Sequence, residues 1–136
     1  MSEYPAVLYV EDDTASCEIM HLLLAGDMGL EHVTIFTNSA DFLSKVQALQ
    51  PQPDIILLDI HVQPHDGFEM LKMLRSLNNF QQTPVIALTA SVMNEEVAKL
   101  RTTGFTSVIP KPINQDNFPD ILNRVLKGES IWRVIY

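Results

Sequence analysis

Cysteine is nearly absent: Cys17 is the only one among 136 residues. One thiol closes no internal disulfide and builds no cysteine metal cluster, as expected of a chain kept in a reducing cytoplasm. Long apolar runs are missing too. No stretch approaches the ~18 residues that cross a bilayer, and the N-terminus has no basic segment leading into an apolar one. Neither a membrane span nor export is expected. Positive charge is scarce, with nine Lys and Arg against 17 Asp and Glu, for a formal charge of −8. Such a chain repels a phosphate backbone, which argues against direct nucleic-acid binding. Proteins, cations or small phosphorylated donors are the expected partners. Repeats, low-complexity tracts and linkers are lacking as well.

What remains is a folding chain. Hydrophobic residues make up 46% and charged residues 19%, a globular balance at a length that suits one domain. Apolar runs of strand length occur at 6–10, 33–36, 55–58, 85–89 and 106–109, each bounded by Pro, Gly, Asn or Asp. Segments with helical spacing lie between them. Phe42, Leu43, Val46 and Leu49 form one stripe, Met70, Leu71, Leu74 and Leu77 another, and Phe118, Ile121, Leu122, Val125 and Leu126 a third. Asn38 with Asp41 three residues later marks a start for the second helix. Only Val97 and Leu100 are clearly apolar in 94–102, so the fourth helix is expected to be lightly anchored.

Five strands alternating with five helices imply a parallel sheet covered on both faces, doubly wound in the order 2-1-3-4-5. The first, third and fourth runs are nearly continuous hydrophobics, as central strands should be; the second and fifth are mixed, as edges are. Ligands of such a sheet bind beyond the carboxyl ends of its strands. There the sequence places Glu11, Asp12 and Asp13 after the first strand, Asp59 after the third, Thr89 and Ser91 at the fourth and Lys111 after the fifth.

Carboxylates so gathered are unstable alone. Two of them ~5 Å apart repel by roughly 3 kcal/mol at an effective dielectric of about 20, so a pKa rises or a cation enters. Hard oxygen ligands favour Mg²⁺. A hydroxyl such as Thr89 and an ammonium such as Lys111 would suit a phosphoryl group beside it. Singly, each residue has an ordinary structural role open to it: Asp13 or Thr14 could merely cap the next helix. Together at four strand ends they point to function.

The ordered motifs "VEDD", "LLD", "DG", "LTA" and "KP" resemble those of the receiver domain of two-component response regulators, from about Tyr4 to Lys127. The resemblance implies a flavodoxin-like fold over 1–128. It makes Asp59 the phosphate acceptor and a metal ligand, Asp13 a direct Mg²⁺ ligand with Asp12 helping through water, and the His61 backbone carbonyl a further ligand. Thr89 becomes the switch hydroxyl and Lys111 the family's lysine, with a cis bond to Pro112. It further implies a single-domain regulator in a phosphorelay, fed by a sensor histidine kinase or histidine phosphotransfer protein and acting on a downstream protein target. Autocatalytic phosphoryl acceptance and hydrolysis would be its only chemistry, so it is not expected to be an enzyme in the usual sense.

The sequence departs from the family in places. Val108 occupies the position, three before the lysine, where receivers usually carry an aromatic switch residue. Gln63 stands where a proline is common, and Pro64 follows. Pro110 removes a backbone donor, which requires its strand to be an edge. By the same comparison His61 and Ser91 occupy positions that tune the phosphoryl lifetime. His21 and His65 are expected to be incidental, and Cys17 a small packed residue.

Two other readings stand beside this one. A phosphatase of the haloacid dehalogenase type would place a second Asp two residues after the first, where this chain has His61. A phosphate-independent receiver-like binding module is the other. Finally, 129–136 forms an apolar extension, "ESIWRVIY", too hydrophobic for a free tail. It is expected to fold back on the body or to meet a second subunit, as in a homodimer, or another partner.

Overall fold

The computed structural model describes residues 5–132. Five parallel strands form one sheet: β1 (Val7–Val10), β2 (Val33–Phe36), β3 (Ile55–Asp59), β4 (Val85–Thr89) and β5 (Ser107–Pro110), in the order β2-β1-β3-β4-β5. The expected doubly wound order is the one found. The central strands β1, β3 and β4 are buried at every residue, whereas β2 is half-buried throughout. β5 is the other edge, and Pro110 sits there, where a missing N–H breaks no ladder.

Helices α1 (Thr14–His21), α2 (Phe42–Gln47), α3 (Gly67–Arg75), α4 (Asn94–Thr103) and α5 (Phe118–Leu126) connect the strands, with α1 continuing as a π-helical stretch over Leu22–Asp27. Strand alternation splits the core. Leu8, Val10, Ile56 and Leu58 face Met70, Leu74 and Phe42 on one side. Val7, Tyr9, Ile55 and Leu57 face Leu23, Phe118 and Leu122 on the other. Leu100 is the one buried residue of α4, so the thin stripe read in the sequence is a thin anchor in the fold.

Asn38 does not cap α2. Its side chain accepts from the Ala40 N–H in a local turn, and Asp41, at a left-handed φ of 53°, precedes the helix without capping it. The strand boundaries read at 6–10 and 106–109 each shift by one residue. Lys111–Pro112 is cis, as are Gln50–Pro51 and Gln63–Pro64.

α3 begins close beneath the end of β3. Asp66 and Glu69 form a reciprocal capping box at its start. Gly67 donates its N–H to the Ile60 carbonyl at 3.0 Å, and a Cβ there would lie 3.0 Å from Ile60 Cα. Only glycine lets the helix start that near the strand end. No helix among the described residues is long and apolar enough to cross a membrane.

Candidate functional site

Register builds the site. Val10 pairs with Leu58 across β1 and β3, so the next residue of each strand, Glu11 and Asp59, emerge side by side at the carboxyl edge. Carboxylate oxygens of Glu11, Asp12 and Asp59 all lie within 4.8 Å of one another. β5 brings in the cation from the far edge: Lys111 Nζ lies 2.5 Å from Glu11 Oε1 and 3.3 Å from Asp59 Oδ2. The Lys111 N–H donates to the Thr89 carbonyl at 2.9 Å, which fixes where its side chain starts.

Each carboxylate is held from several directions. Glu11 is wholly buried; Oε1 accepts from Tyr9 Oη at 3.1 Å as well as from Lys111, and Oε2 accepts the Asp12 N–H at 3.1 Å. Asp59, 5% exposed, accepts the His61 N–H on Oδ1 at 3.2 Å and Lys111 on Oδ2. Thr89 is 4% exposed, and its hydroxyl accepts the Ser91 N–H at 3.1 Å.

Burial pushes the Glu11 carboxyl up to about 7, with the adjacent Asp59 adding to the rise and Lys111 opposing it. Burial also raises Asp59, but Glu11, the His61 N–H and the Lys111 charge outweigh it and hold Asp59 below its ordinary value. Burial lowers Lys111, and its two carboxylate partners more than reverse that. The site therefore holds one carboxylate poised to keep a proton and one firmly ionised.

The acidic residues divide differently from the expected Asp12–Asp13 pair. Asp13 is the N-cap of α1: its Oδ2 accepts from the Ser16 N–H at 2.9 Å and from Ser16 Oγ at 2.6 Å, and it is no part of the carboxylate cluster. Glu11, read in the sequence as one of the three carboxylates after the first strand, lies in that cluster with Asp12 and Asp59. The signal for this was available in the strand parity: Tyr9 and Glu11 share a face, and Ser16 follows Asp13 at capping distance.

His61 presents an exposed side chain and lines a cavity of about 170 Å³ beside Thr89, Ser91 and Lys99. His65 meets Glu69 at 3.5 Å on the surface. Cys17 is half-buried with Sγ 3.3 Å from the Glu11 carbonyl oxygen. Val108, 3% exposed, packs inward toward α4.

The pattern that defines the response regulator receiver domain matches residues 7–123. The chain belongs to that family. It is 31% identical over 122 residues to the polar-differentiation response regulator DivK of Brucella anthropi, covering 89% of this chain and 95% of that protein. It is 32% identical over 125 residues to the signal transduction histidine-protein kinase BarA of Escherichia coli, covering 92% of this chain but only 13% of the kinase. The receiver therefore spans a small fraction of BarA's length. Among solved structures, the chemotaxis response regulator CheY4 of Vibrio cholerae superposes with a TM-score of 0.80 at 26% identity, over 90% of this chain and 98% of that one. The receiver domain of the sensor histidine kinase PA1611 of Pseudomonas aeruginosa, described with a magnesium ion in its active-site cleft, superposes at 0.79 and 22% identity, over 92% of this chain and 99% of that one. The flavodoxin-like fold read from the sequence is thus the family's fold.

Proposed function

We propose that this receiver accepts a phosphoryl group on Asp59 from a phosphohistidine donor and uses it to change protein contacts in a phosphorelay. The observation that carries the reading is Lys111 reaching from the edge strand to bridge Glu11 and Asp59. A half-buried ammonium between two buried carboxylates, with a threonine hydroxyl at the next strand end, matches the charge and hydrogen-bonding needs of a transferring phosphoryl group.

Glu11, Asp12 and Asp59, with the His61 carbonyl, would hold Mg²⁺. The fit rests on three carboxylate oxygens within 4.8 Å and no competing soft ligand in the cluster. Bound there, the ion supplies positive charge against the phosphoryl oxygens. Asp59 attacks the phosphorus, the bond to the donor nitrogen or oxygen breaks, and the leaving group departs with the electron pair. Lys111 offsets charge on the transferring group as a point cation. Thr89 would exchange its bond to the Ser91 N–H for one to a phosphoryl oxygen, drawing the start of α4 inward. Leu100 is the only buried residue of α4, which suits an element that must move.

A histidine kinase or histidine phosphotransfer protein is the proposed donor, and a protein the proposed target. DivK, whose length the chain nearly spans, supports a single-domain regulator. Intact mass after incubation with acetyl phosphate and Mg²⁺ tests the reading. A phosphoryl adduct that disappears in Asp59→Asn and in metal-free buffer is expected. Absence of any adduct, with a phosphohistidine donor as well, would favour the phosphate-independent binding module.

A further inference from the structure

Ser107 opens the edge strand β5 and is wholly buried. Its hydroxyl donates to the Ile131 carbonyl at 2.6 Å and accepts the Ile131 N–H at 3.2 Å, while the Val108 N–H donates to the same carbonyl at 3.2 Å. The chain's own backbone thereby meets the edge of β5 at Val108 and the Ser107 side chain. The side chains then part. Ile131 packs with the apolar cluster that includes Leu122 and Val125 of α5, and Trp132 with the opposite cluster that includes Val108 and Leu100. Arg101 of α4 stacks over the Trp132 ring, 5.9 Å from its centroid. Arg124 of α5 pairs with Glu129 at 3.2 Å. Residues 129–132 therefore run from α5 across β5 to α4.

We infer that Glu129–Trp132 is an autoinhibitory strap, which holds β5 and α4 in their present arrangement and loosens when a phosphoryl group is held at Asp59. This rests on the reading of Asp59 as the phosphate acceptor. Both anchors of the strap lead to the site. β5 carries Lys111 three residues beyond Val108, with its N–H on the Thr89 carbonyl. The α4 anchor begins just after Ser91, whose N–H holds the Thr89 hydroxyl in its present orientation. Turning Thr89 toward a phosphoryl oxygen breaks that bond and shifts the helix on which Trp132 rests. Val108 has no ring of its own, and Trp132 adds one to the cluster that holds Val108 and Leu100. Coupling between two sites is reciprocal, so weakening the strap strengthens binding at the acceptor.

Trp132 is the only tryptophan in the chain, so its emission reports the strap directly. The experiment adds Mg²⁺ and beryllofluoride, a phosphoryl stand-in, to the full chain. Fluorine NMR reads binding, and tryptophan emission with iodide quenching reads the strap. A red shift with stronger quenching is expected, and neither in Asp59→Asn. Ser107→Ala, nearly isosteric and remote from the carboxylates, is expected to tighten beryllofluoride binding by roughly fivefold or more, the low end of ordinary coupling. Arg101→Gln, on the surface of α4, tests the same direction without touching the core. Bound beryllofluoride with unchanged Trp132 emission, or unchanged affinity in both variants, overturns the strap and leaves the acceptor standing. No bound beryllofluoride at all overturns the acceptor reading and the strap with it.

Discussion

Tyr9 donates its phenolic hydroxyl to Glu11 Oε1 at 3.1 Å inside the protein, two residues apart on one face of β1. Burial and the Glu11 charge hold the phenol far above its ordinary pKa, so it remains a donor. A buried carboxylate oxygen at the sheet's carboxyl edge is thus fixed by a residue that is otherwise core.

Tyr9→Phe removes that donor and little else. Glu11 Oε1 keeps Lys111 as a partner, so the cost falls near the low end for a lost buried hydrogen bond, about 1 kcal/mol. Denaturant unfolding measures it. An unchanged midpoint at unchanged slope would show that the phenol contributes nothing net.

The same buried carboxyl makes stability depend on pH. Glu11 is raised by burial from its ordinary 4.5 to about 7, so between those values the folded state holds a proton that the unfolded state has released. Stability from this group is full below the ordinary value and is lost as the pH rises through about 7. Asp59 is depressed, so its contribution is lost only as the pH falls below the ordinary carboxylate range, outside this window. In chelator, the thermal midpoint of the wild type should fall from about pH 5 to about pH 8, and Glu11→Gln should flatten that slope. A midpoint that climbs over the same interval contradicts the assignment.

Sheet order was legible because burial writes itself into composition: β1, β3 and β4 are continuous hydrophobics, and β2 and β5 are not. The carboxyl edge where these side chains meet followed from the strand ends. Which carboxylates gather was harder to read, because "EDD" offers three in a row and strand register sorts them. Val10 against Leu58 brings Glu11, not Asp13, level with Asp59. Asn38 misled for a related reason, since Asx turns and helix caps use the same residue and differ only in which N–H is near. The fold-back of the extension was legible from its hydrophobicity, and Ile131 and Trp132 do pack on the body; Val134, Ile135 and Tyr136 lie outside the described residues.

Gly67 links the fold to the site. A methyl there would lie 2.7 Å from Ile60 Cδ1, which can rotate away, and 3.0 Å from Ile60 Cα, which cannot. Gly67→Ala should therefore cost about 1–3 kcal/mol, the usual range for overpacking, and should displace the segment that follows Asp59. Urea unfolding gives the first quantity, and the rate of adduct formation with acetyl phosphate the second. Wild-type values of both would mean that α3 slides to make room.

The two neighbouring aspartates separate the ligand sets most sharply. Asp12 lies in the carboxylate cluster, and Asp13 serves α1 through Ser16. Asparagine caps a helix about as well as aspartate, so Asp13→Asn should leave both stability and Mg²⁺ affinity near wild type. Asp12→Asn removes a charge from the proposed metal site while leaving the helix start intact, so Mg²⁺ affinity should fall by roughly tenfold or more, as one lost charge contact of about 1.4 kcal/mol requires. Calorimetric titration of both variants with Mg²⁺ distinguishes the cases. If Asp13→Asn lost the metal and Asp12→Asn kept it, the helix cap would have to open on binding, and register would no longer be what selects the ligands.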